Sequence, residues 1–592
     1  LWMPNGRYIY LKNVYIRIQG TSSTKYPTKN YRIYCAKGES PEMYVDGVKQ
    51  DELKVALRTG QKAVKILCAK ADYSDSSMTQ NTGGARLWND MMKALGFLTP
   101  PQQVDNSVRT AVDGFPIDVF SAESRESTPT YYGQYNLNHD KSDWQDITGL
   151  SGVPGLDVQK TMALEFLNNT QPLCLFQGKV NLDMQAAAEF DKALEFNFPE
   201  GTKWANATEE QKTAFKRLWA WIRDCVPAGA APNNISAFVS SKFKSELGQY
   251  IDKNFLLCWW LFTDFFANVD QRAKNMIWVT WNKLLWFLFY YDGDTQQGDR
   301  NDSMLAYLYN VTRETWDAEK SKYAFEGHDS WLWCLVLANL KDDIVKMAGK
   351  MRSFLTEERV NEIFDREQQG NWCGRIYNKS GELKYIKPQI EGVMVKGQLV
   401  KYPYIYALKG DKQAFRHWFI KNRFSLLDAK YETGNFLSDN IDMYMSRKAD
   451  APANTIVVTA SDLYYFGYGT NNAPHLQASR RAEKGEKVTL TFPHAFTVND
   501  PIRIYGASRI AELDMRGASD NLTGDVNLNK CKVLRKIDLQ TDGTGSKGWC
   551  LVLDRCRQLV DINLYGQGGA KTGTLSSREL DFSNQTRLRK LD

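Results

Sequence analysis

At 592 residues, with 43% hydrophobic, 12% aromatic and 24% charged positions, the chain has the composition of a folded protein and is too long for a single core. Its 75 Lys and Arg against 69 Asp and Glu leave a net charge of only +6 with no long block of one sign, which argues against nucleic-acid binding. No apolar run reaches membrane-spanning length, and the five histidines lie far apart with no Cys or His at zinc-ligand spacing.

Residues 7–35 alternate strongly. Arg7-Tyr8-Ile9-Tyr10-Leu11, Val14-Tyr15-Ile16-Arg17-Ile18 and Tyr31-Arg32-Ile33-Tyr34-Cys35 read as antiparallel strands. The turn between the last two, residues 19–27, is rich in small hydroxyl residues whose backbone N–H groups could meet a phosphate, although a plain turn is the commoner meaning. A strand over residues 63–68 runs into Lys70-Ala71-Asp72-Tyr73-Ser74-Asp75-Ser76-Ser77, a helix-entry cluster, and then a helix around residues 85–95 stopped by Gly96. Residues 112–117 and 131–135 add strands. Over residues 208–266 the period becomes helical, with Phe215, Leu218, Trp219 and Ile222 on one stripe and Leu247, Tyr250, Ile251, Asn254 and Cys258 on another. More helices are expected over residues 329–369 and 409–430. Cys35, Cys68, Cys174, Cys258 and Cys334 sit among apolar neighbours without framework spacing, so buried free thiols in a protein folded in a reducing compartment are expected.

The stretch 263–297 carries the densest chemistry. Asp270 is followed after four residues by Asn275, then by an apolar segment broken at Trp281-Asn282-Lys283, then by Asp292-Gly293-Asp294. Carboxylates and a carboxamide at both ends of a predicted hairpin suit phosphoryl transfer, where one carboxylate orients the attacking hydroxyl and oxygen ligands hold Mg²⁺ over the phosphates. Arg272 adds a cation two residues after Asp270. Asp, Asn and Gly also suit turns, and on spacing alone the two readings balance.

Around Ala451-Pro452-Ala453 the composition changes, and residues 451–506 read as a small β domain. A repeat then appears: Leu513, Ile537, Ile562 and Leu591 recur in similar contexts at steps of 24, 25 and 29 residues, within the leucine-rich-repeat range. Residues 507–592 therefore read as a solenoid. Its interruption at Leu591-Asp592 and the start at Leu1-Trp2 lead us to expect a piece of a longer polypeptide. Gly543-Thr544-Gly545-Ser546-Lys547-Gly548 satisfies a dinucleotide fingerprint by letter, but it falls between repeat strands and reads as a loop.

The chain resembles the CotH kinase-like family of atypical kinases, and within it the CotH-like modules of tailed-bacteriophage structural proteins. The resemblance rests on Gly20-Thr21-Ser22-Ser23 with Tyr26-Pro27, Lys29 and Tyr31-Arg32-Ile33; on Lys70-Ala71-Asp72-Tyr73 with Asp75-Ser76-Ser77 and Ala85-Arg86-Leu87; and on Val112-Asp113-Gly114. It continues through Tyr132-Gly133, Tyr135-Asn136, Glu165-Phe166 with Asn168, Asp270, Arg272-Ala273-Lys274-Asn275, Tyr291-Asp292, Asp294-Thr295, Gly298 and Lys421-Asn422-Arg423-Phe424. It covers residues 7–435, in order.

The resemblance implies an α+β fold: a two-lobed atypical-kinase-like domain over residues 1–450, strand-rich to about 150 and helical over 151–435. The small β domain and the leucine-rich-repeat-like solenoid follow it. It implies ATP and Mg²⁺ at Asp270, Asn275, Asp292 and Asp294, with Asp270 as base beside Arg272, and Lys65 or Lys70 on the phosphates. Gln19 stands where the family more often has Arg, and Gln296 and Asp299 where it has small or apolar residues; these departures bear on nucleotide binding more than on fold. The expected role is a virion structural protein of tail, baseplate or fibre type, partnered by other virion proteins and, through the repeats, by a host-surface receptor. The alternative is an active kinase acting on Ser/Thr hydroxyls. A bacterial surface or spore-coat protein shares the family but calls for an export signal.

Overall fold

The computed structural model describes the chain except for residues 21–23, 25–28, 73–78, 144–155, 298–329, 370–391, 402–411, 445–453, 470–476, 493–500, 519–525, 540–550 and 564–586, and isolated shorter gaps. Most of the hydroxyl-rich turn, the Tyr73–Ser77 cluster, Gly298 and the Gly543–Gly548 loop thus lie outside the described residues. The fold is α+β, and the chain divides into two units, Leu1–Arg423 and Phe424–Asp592.

In the first unit, alternating aromatic and β-branched residues give β1 (Ile9–Lys12), β2 (Tyr15–Gln19), β3 (Asn30–Tyr34), β4 (Glu42–Val45), β5 (Val48–Lys49), β6 (Ile66–Lys70), β7 (Gly114–Ser121) and β8 (Thr130–His139). They form a three-stranded sheet, β1-β4-β5, and an antiparallel five-stranded sheet in the order β2-β3-β6-β8-β7. Because side chains alternate across a strand, the five-stranded sheet has two unlike faces. Ile33, Leu67, Leu137 and Phe115 pack with Met43, Val55 and Val64 on one. The other carries polar groups: Arg32 pairs with Asp140 at 2.8 Å, Cys68 donates to the same carboxylate, and Lys70 ends the row.

A second sheet, in the order β10-β9-β11-β12, is built from β9 (Met162–Phe166), β10 (Leu194–Phe198), β11 (Met276–Thr280) and β12 (Phe287–Tyr290). β11 and β12 form the expected hairpin, with Met276 opposite Tyr290 and Val279 opposite Phe287. Asn282 closes the turn, its Oδ1 accepting from the backbone of Leu284 and Leu285 at 2.9 Å. Around the sheet lie α1 (Gln80–Ala94), α2 (Glu209–Cys225), α3 (Lys253–Phe265), α4 (Trp331–Asn339), α5 (Lys341–Phe354), α6 (Glu357–Gln369) and α7 (Lys412–Tyr431), the last spanning the division between the units. Strands β13 (Gly392–Val395) and β14 (Gln398–Lys401) pair with each other.

Local chemistry sets these helices. Thr208 and Gln211 form a capping box at the start of α2, and Asp252 caps α3 by accepting from Phe255 N–H at 2.9 Å. α3 is apolar all round, so nearly its whole surface is buried. Trp88 of α1 meets Phe255, Trp259 and Phe262 of α3 edge-on, at centroid distances of 5.3–6.4 Å. The eight described cysteines are buried, and none of them is in a disulfide. Among the described residues no helix is long and apolar enough to cross a membrane.

The second unit holds β15 (Asn440–Met443), β16 (Asn454–Ala460), β17 (Tyr464–Gly469), β18 (Gln477–Ala482), β19 (Lys487–Phe492), β20 (Ile502–Tyr505), β21 (Ile510–Asp514), β22 (Val526–Asn527), β23 (Lys536–Asp538), β24 (Leu551–Val552), β25 (Asp561–Asn563) and β26 (Lys590–Leu591). One sheet runs β15-β20-β17-β18, and a six-stranded sheet runs β19-β16-β21-β23-β25-β26. The latter is antiparallel across β19, β16 and β21 and parallel from β21 onward, with Leu513, Ile537, Ile562 and Leu591 in one row. Strands of the 451–506 region and of the repeat region thus share a sheet. Leu513, Ile537 and Ile562 are buried.

Candidate functional site

The β11–β12 hairpin brings its two flanks together. Asn275 precedes β11 and Tyr291-Asp292 follows β12, and Asn275 Nδ2 donates to the backbone carbonyl of Asp292 at 3.4 Å. Both Asn275 (φ 55°) and Asp292 (φ 54°) are left-handed, a conformation short polar residues tolerate and one that clusters at functional sites. The cross-links holding it are specific. Asn275 N–H donates to Phe166 O at 3.0 Å, and Gln271 Nε2 donates to the carbonyls of Tyr291 and Asp292 at 3.2 and 2.8 Å.

Lys70, the last residue of β6, reaches this flank from the five-stranded sheet. Its Nζ stands 3.1 Å from Asp292 Oδ1, joining groups 222 positions apart. Burial works against the charge on Lys70, yet Asp292, Tyr291 and Asp72 keep its ammonium well above the usual lysine range. Burial likewise pushes Asp292 upward, but Lys70, with Lys274 and Lys141 behind it, holds the carboxyl below its ordinary value, so it is ionised at neutral pH.

Behind Asp292 lies a second charge cluster, of whose members the sequence signalled Glu165 but neither Lys141 nor Glu195. Lys141 Nζ donates to Glu165 and, at 2.7 Å, to Glu195. Lys141 and Lys70 both stand 5.4 Å from the centroid of the Tyr291 ring. Burial raises Glu165 above the usual carboxylate range, with Lys141 opposing. Lys141 follows β8 in an unremarkable polar turn, so only the fold connects it to Glu165. Gln271 was equally silent as a single residue.

The residues expected from sequence fall into three groups. Lys70, Asn275 and Asp292 come together. Asp294 lies near enough to Tyr290 for its charge to help raise that hydroxyl, after burial. Lys65 precedes β6 and is exposed, and its backbone N–H donates to Asp143 Oδ2 at 2.6 Å, which leaves Lys70 as the lysine beside Asp292. Arg272 faces elsewhere: its buried guanidinium donates to Thr263 Oγ1 at 2.7 Å and Trp260 O at 2.8 Å and lies 4.2 Å from the Trp260 ring centroid. Asp270 opens the short turn Asp270–Arg272, and its side chain lies outside the described residues. Gln296 is buried, donating to Gln80 O and, at 3.0 Å, to Tyr290 Oη, so it pins the strand-β12 exit to the start of α1.

Among the described residues, no three of His, Cys, Asp and Glu gather as a metal-binding group. The donors near Asp292 suit a hard cation shared with a ligand: one ionised carboxylate, the Asn275 side chain, and the buried side-chain Oε1 of Gln271, which has no hydrogen-bond partner. No protein-family model matches the chain, and no curated protein matches it.

Proposed function

We propose that this chain is a structural component of a tailed-phage virion, of tail, baseplate or fibre type, built on a CotH kinase-like scaffold that retains a nucleotide-phosphate site. In this reading the five-stranded sheet with its three-stranded cover is the smaller lobe, and the β9–β12 sheet with its helices is the larger. The observation that carries the site is the Lys70–Asp292 contact, which pairs a cation from one sheet with an ionised carboxylate flanking a hairpin of the other. The virion role is supported by the ordered resemblance over residues 7–435 and by the parallel ladder β21-β23-β25-β26, read as a leucine-rich-repeat-like solenoid whose repetitive face suits other virion proteins or a host-surface receptor.

Within the site, Lys70 binds phosphate oxygens, while Asp292 and Asn275, with Asp294 beside them, hold Mg²⁺. When bound, that ion neutralises charge developing on the transferred phosphoryl group. Gln271 and Asn275 fix the Asp292 backbone through its carbonyl, so the carboxylate is oriented before ligand arrives. A second reading, a working kinase with Asp270 as base toward a Ser/Thr hydroxyl, is favoured by the ionised state of Asp292.

The test is a thermal-shift titration of the full chain with Mg²⁺ and ATP, alongside incubation with γ-labelled ATP. We expect a nucleotide-dependent rise in melting temperature that Lys70→Ala and Asp292→Ala abolish; no rise in the wild-type chain would sink the site. Label transfer lost in Asp292→Ala would establish turnover. Mass spectrometry of purified virions should find the chain in stoichiometric amount, and its absence would refute the structural role.

A further inference from the structure

We infer that Lys141 is a second phosphate-binding lysine and that Glu195 is the partner it exchanges for a phosphate oxygen; the inference rests on the nucleotide-phosphate reading of the Lys70–Asp292 site. Glu165 and Glu195 are directly opposite each other across β9 and β10. Like charges so placed repel, and the Lys141 ammonium donates to both. The pair is close to the flank described above. Glu165 is paired with Ile277 on its other side, and the neighbouring Phe166 carbonyl accepts the Asn275 N–H. Lys141 and Lys70 converge on one ring, each 5.4 Å from the Tyr291 centroid, and the next residue is Asp292.

The two carboxylates on Lys141 are not equivalent. Glu165 has a side-chain exposure of 5% and cannot lose its cation without leaving a buried charge unpaired. Glu195 is 44% exposed and can be hydrated when released. A phosphate entering beside Lys70 therefore displaces Glu195 and leaves Glu165 in place. Two ammonium groups beside one ring suit a ligand with successive phosphate groups, such as a nucleoside triphosphate or tripolyphosphate, over a single phosphate.

The experiment is calorimetric titration of the full chain with tripolyphosphate and, separately, inorganic phosphate. Losing a charged hydrogen-bond donor costs about tenfold in affinity, so Lys141→Met should weaken tripolyphosphate binding about tenfold. Glu195→Gln, which removes the competitor from a partly exposed position, should tighten it. A merely structural role for Lys141 predicts that Glu195→Gln weakens binding or leaves it unchanged, and either result overturns the inference even if Lys141→Met fails to fold. If the wild-type chain binds no tripolyphosphate, the parent reading falls with it. If Lys70→Met abolishes binding while Lys141→Met and Glu195→Gln bind as wild type, only this inference falls.

Discussion

The two units handle charge in opposite ways. In residues 1–423 charged side chains run through the interior: Lys70, Asp72, Asp113, Asp140, Lys141, Glu165, Asp264, Arg272, Glu367 and Arg416 are all buried. Among the described residues of 424–592, no charged side chain is buried. There the charges stand in columns on a sheet face. Glu512, Lys536 and Asp561 are in register, as are Asp514, Asp538 and Asn563, with Arg516 on Asp514 at 2.6 Å. Buried charge is expensive unless paired, and it is retained where geometry matters more than stability. The first unit is thus organised around fixed polar geometry, and the second around a repeating apolar row with an adaptable polar surface.

The sharpest way to break that contrast is to remove one partner of a buried pair. Arg423 meets Asp264 at 2.7 Å with both side chains 1% exposed. Asp264→Ala should destabilise the first unit by about 3 kcal/mol, because it takes the carboxylate counter-charge from a buried guanidinium while leaving its hydrogen bonds to the residue-264 backbone carbonyl. Denaturant unfolding followed by tryptophan fluorescence reads this unit selectively, since every tryptophan but Trp549 precedes residue 424. A loss no larger than that of a surface pair would refute the organisation described above.

A second test uses pH. Burial holds His139 down to about 4 from an ordinary 6.5, with Arg109 adding to the effect and Asp113 and Asp140 opposing it. Its Nε2 accepts from the Asp113 N–H at 3.2 Å, a bond open only to the neutral ring. The unfolded chain binds a proton there between pH 6.5 and 4 and the folded chain does not, so stability is full above 6.5 and should fall by about 3 kcal/mol as pH drops to 4. His139→Leu should flatten that limb in the same unfolding assay. An unchanged limb would mean that the acid response comes from other groups.

The second unit should answer to methyl groups and ignore charges. Ile562→Val should cost about 1 kcal/mol, and Lys536→Ala, whose ion pair with Asp561 spans 3.4 Å at a partly exposed site, less than about 0.5 kcal/mol. Circular-dichroism melts of the two variants rank these effects, and a reversed order would erase the distinction between the units.

Much of the fold was legible because it rests on local periodicity. Alternation marked β1 to β3 and β6, the helical period over residues 208–266 marked α2 and α3, and the spacing of Leu513, Ile537 and Ile562 picked out the residues that stack in register. The site was legible only at the hairpin flanks, where Asn275 and Asp292 are fixed by a local turn. Choosing between Lys65 and Lys70 required knowing where β6 begins, since that decides which lysine joins the row of Cys68. Arg272 lies between the Trp260 and Trp333 rings, a placement that sequence spacing does not encode. Lys141 was invisible because its partners come from strands 24 and 54 positions away.

The parallel row in the second unit has a consequence for reach. Neighbouring strands in a sheet are about 4.8 Å apart, so each further strand of this kind would lengthen the ladder by that fixed increment. Among the described residues of the ladder, no buried charge has to find a new partner when a strand is gained or lost. Recombination between repeats can therefore change the span of such a molecule in discrete steps.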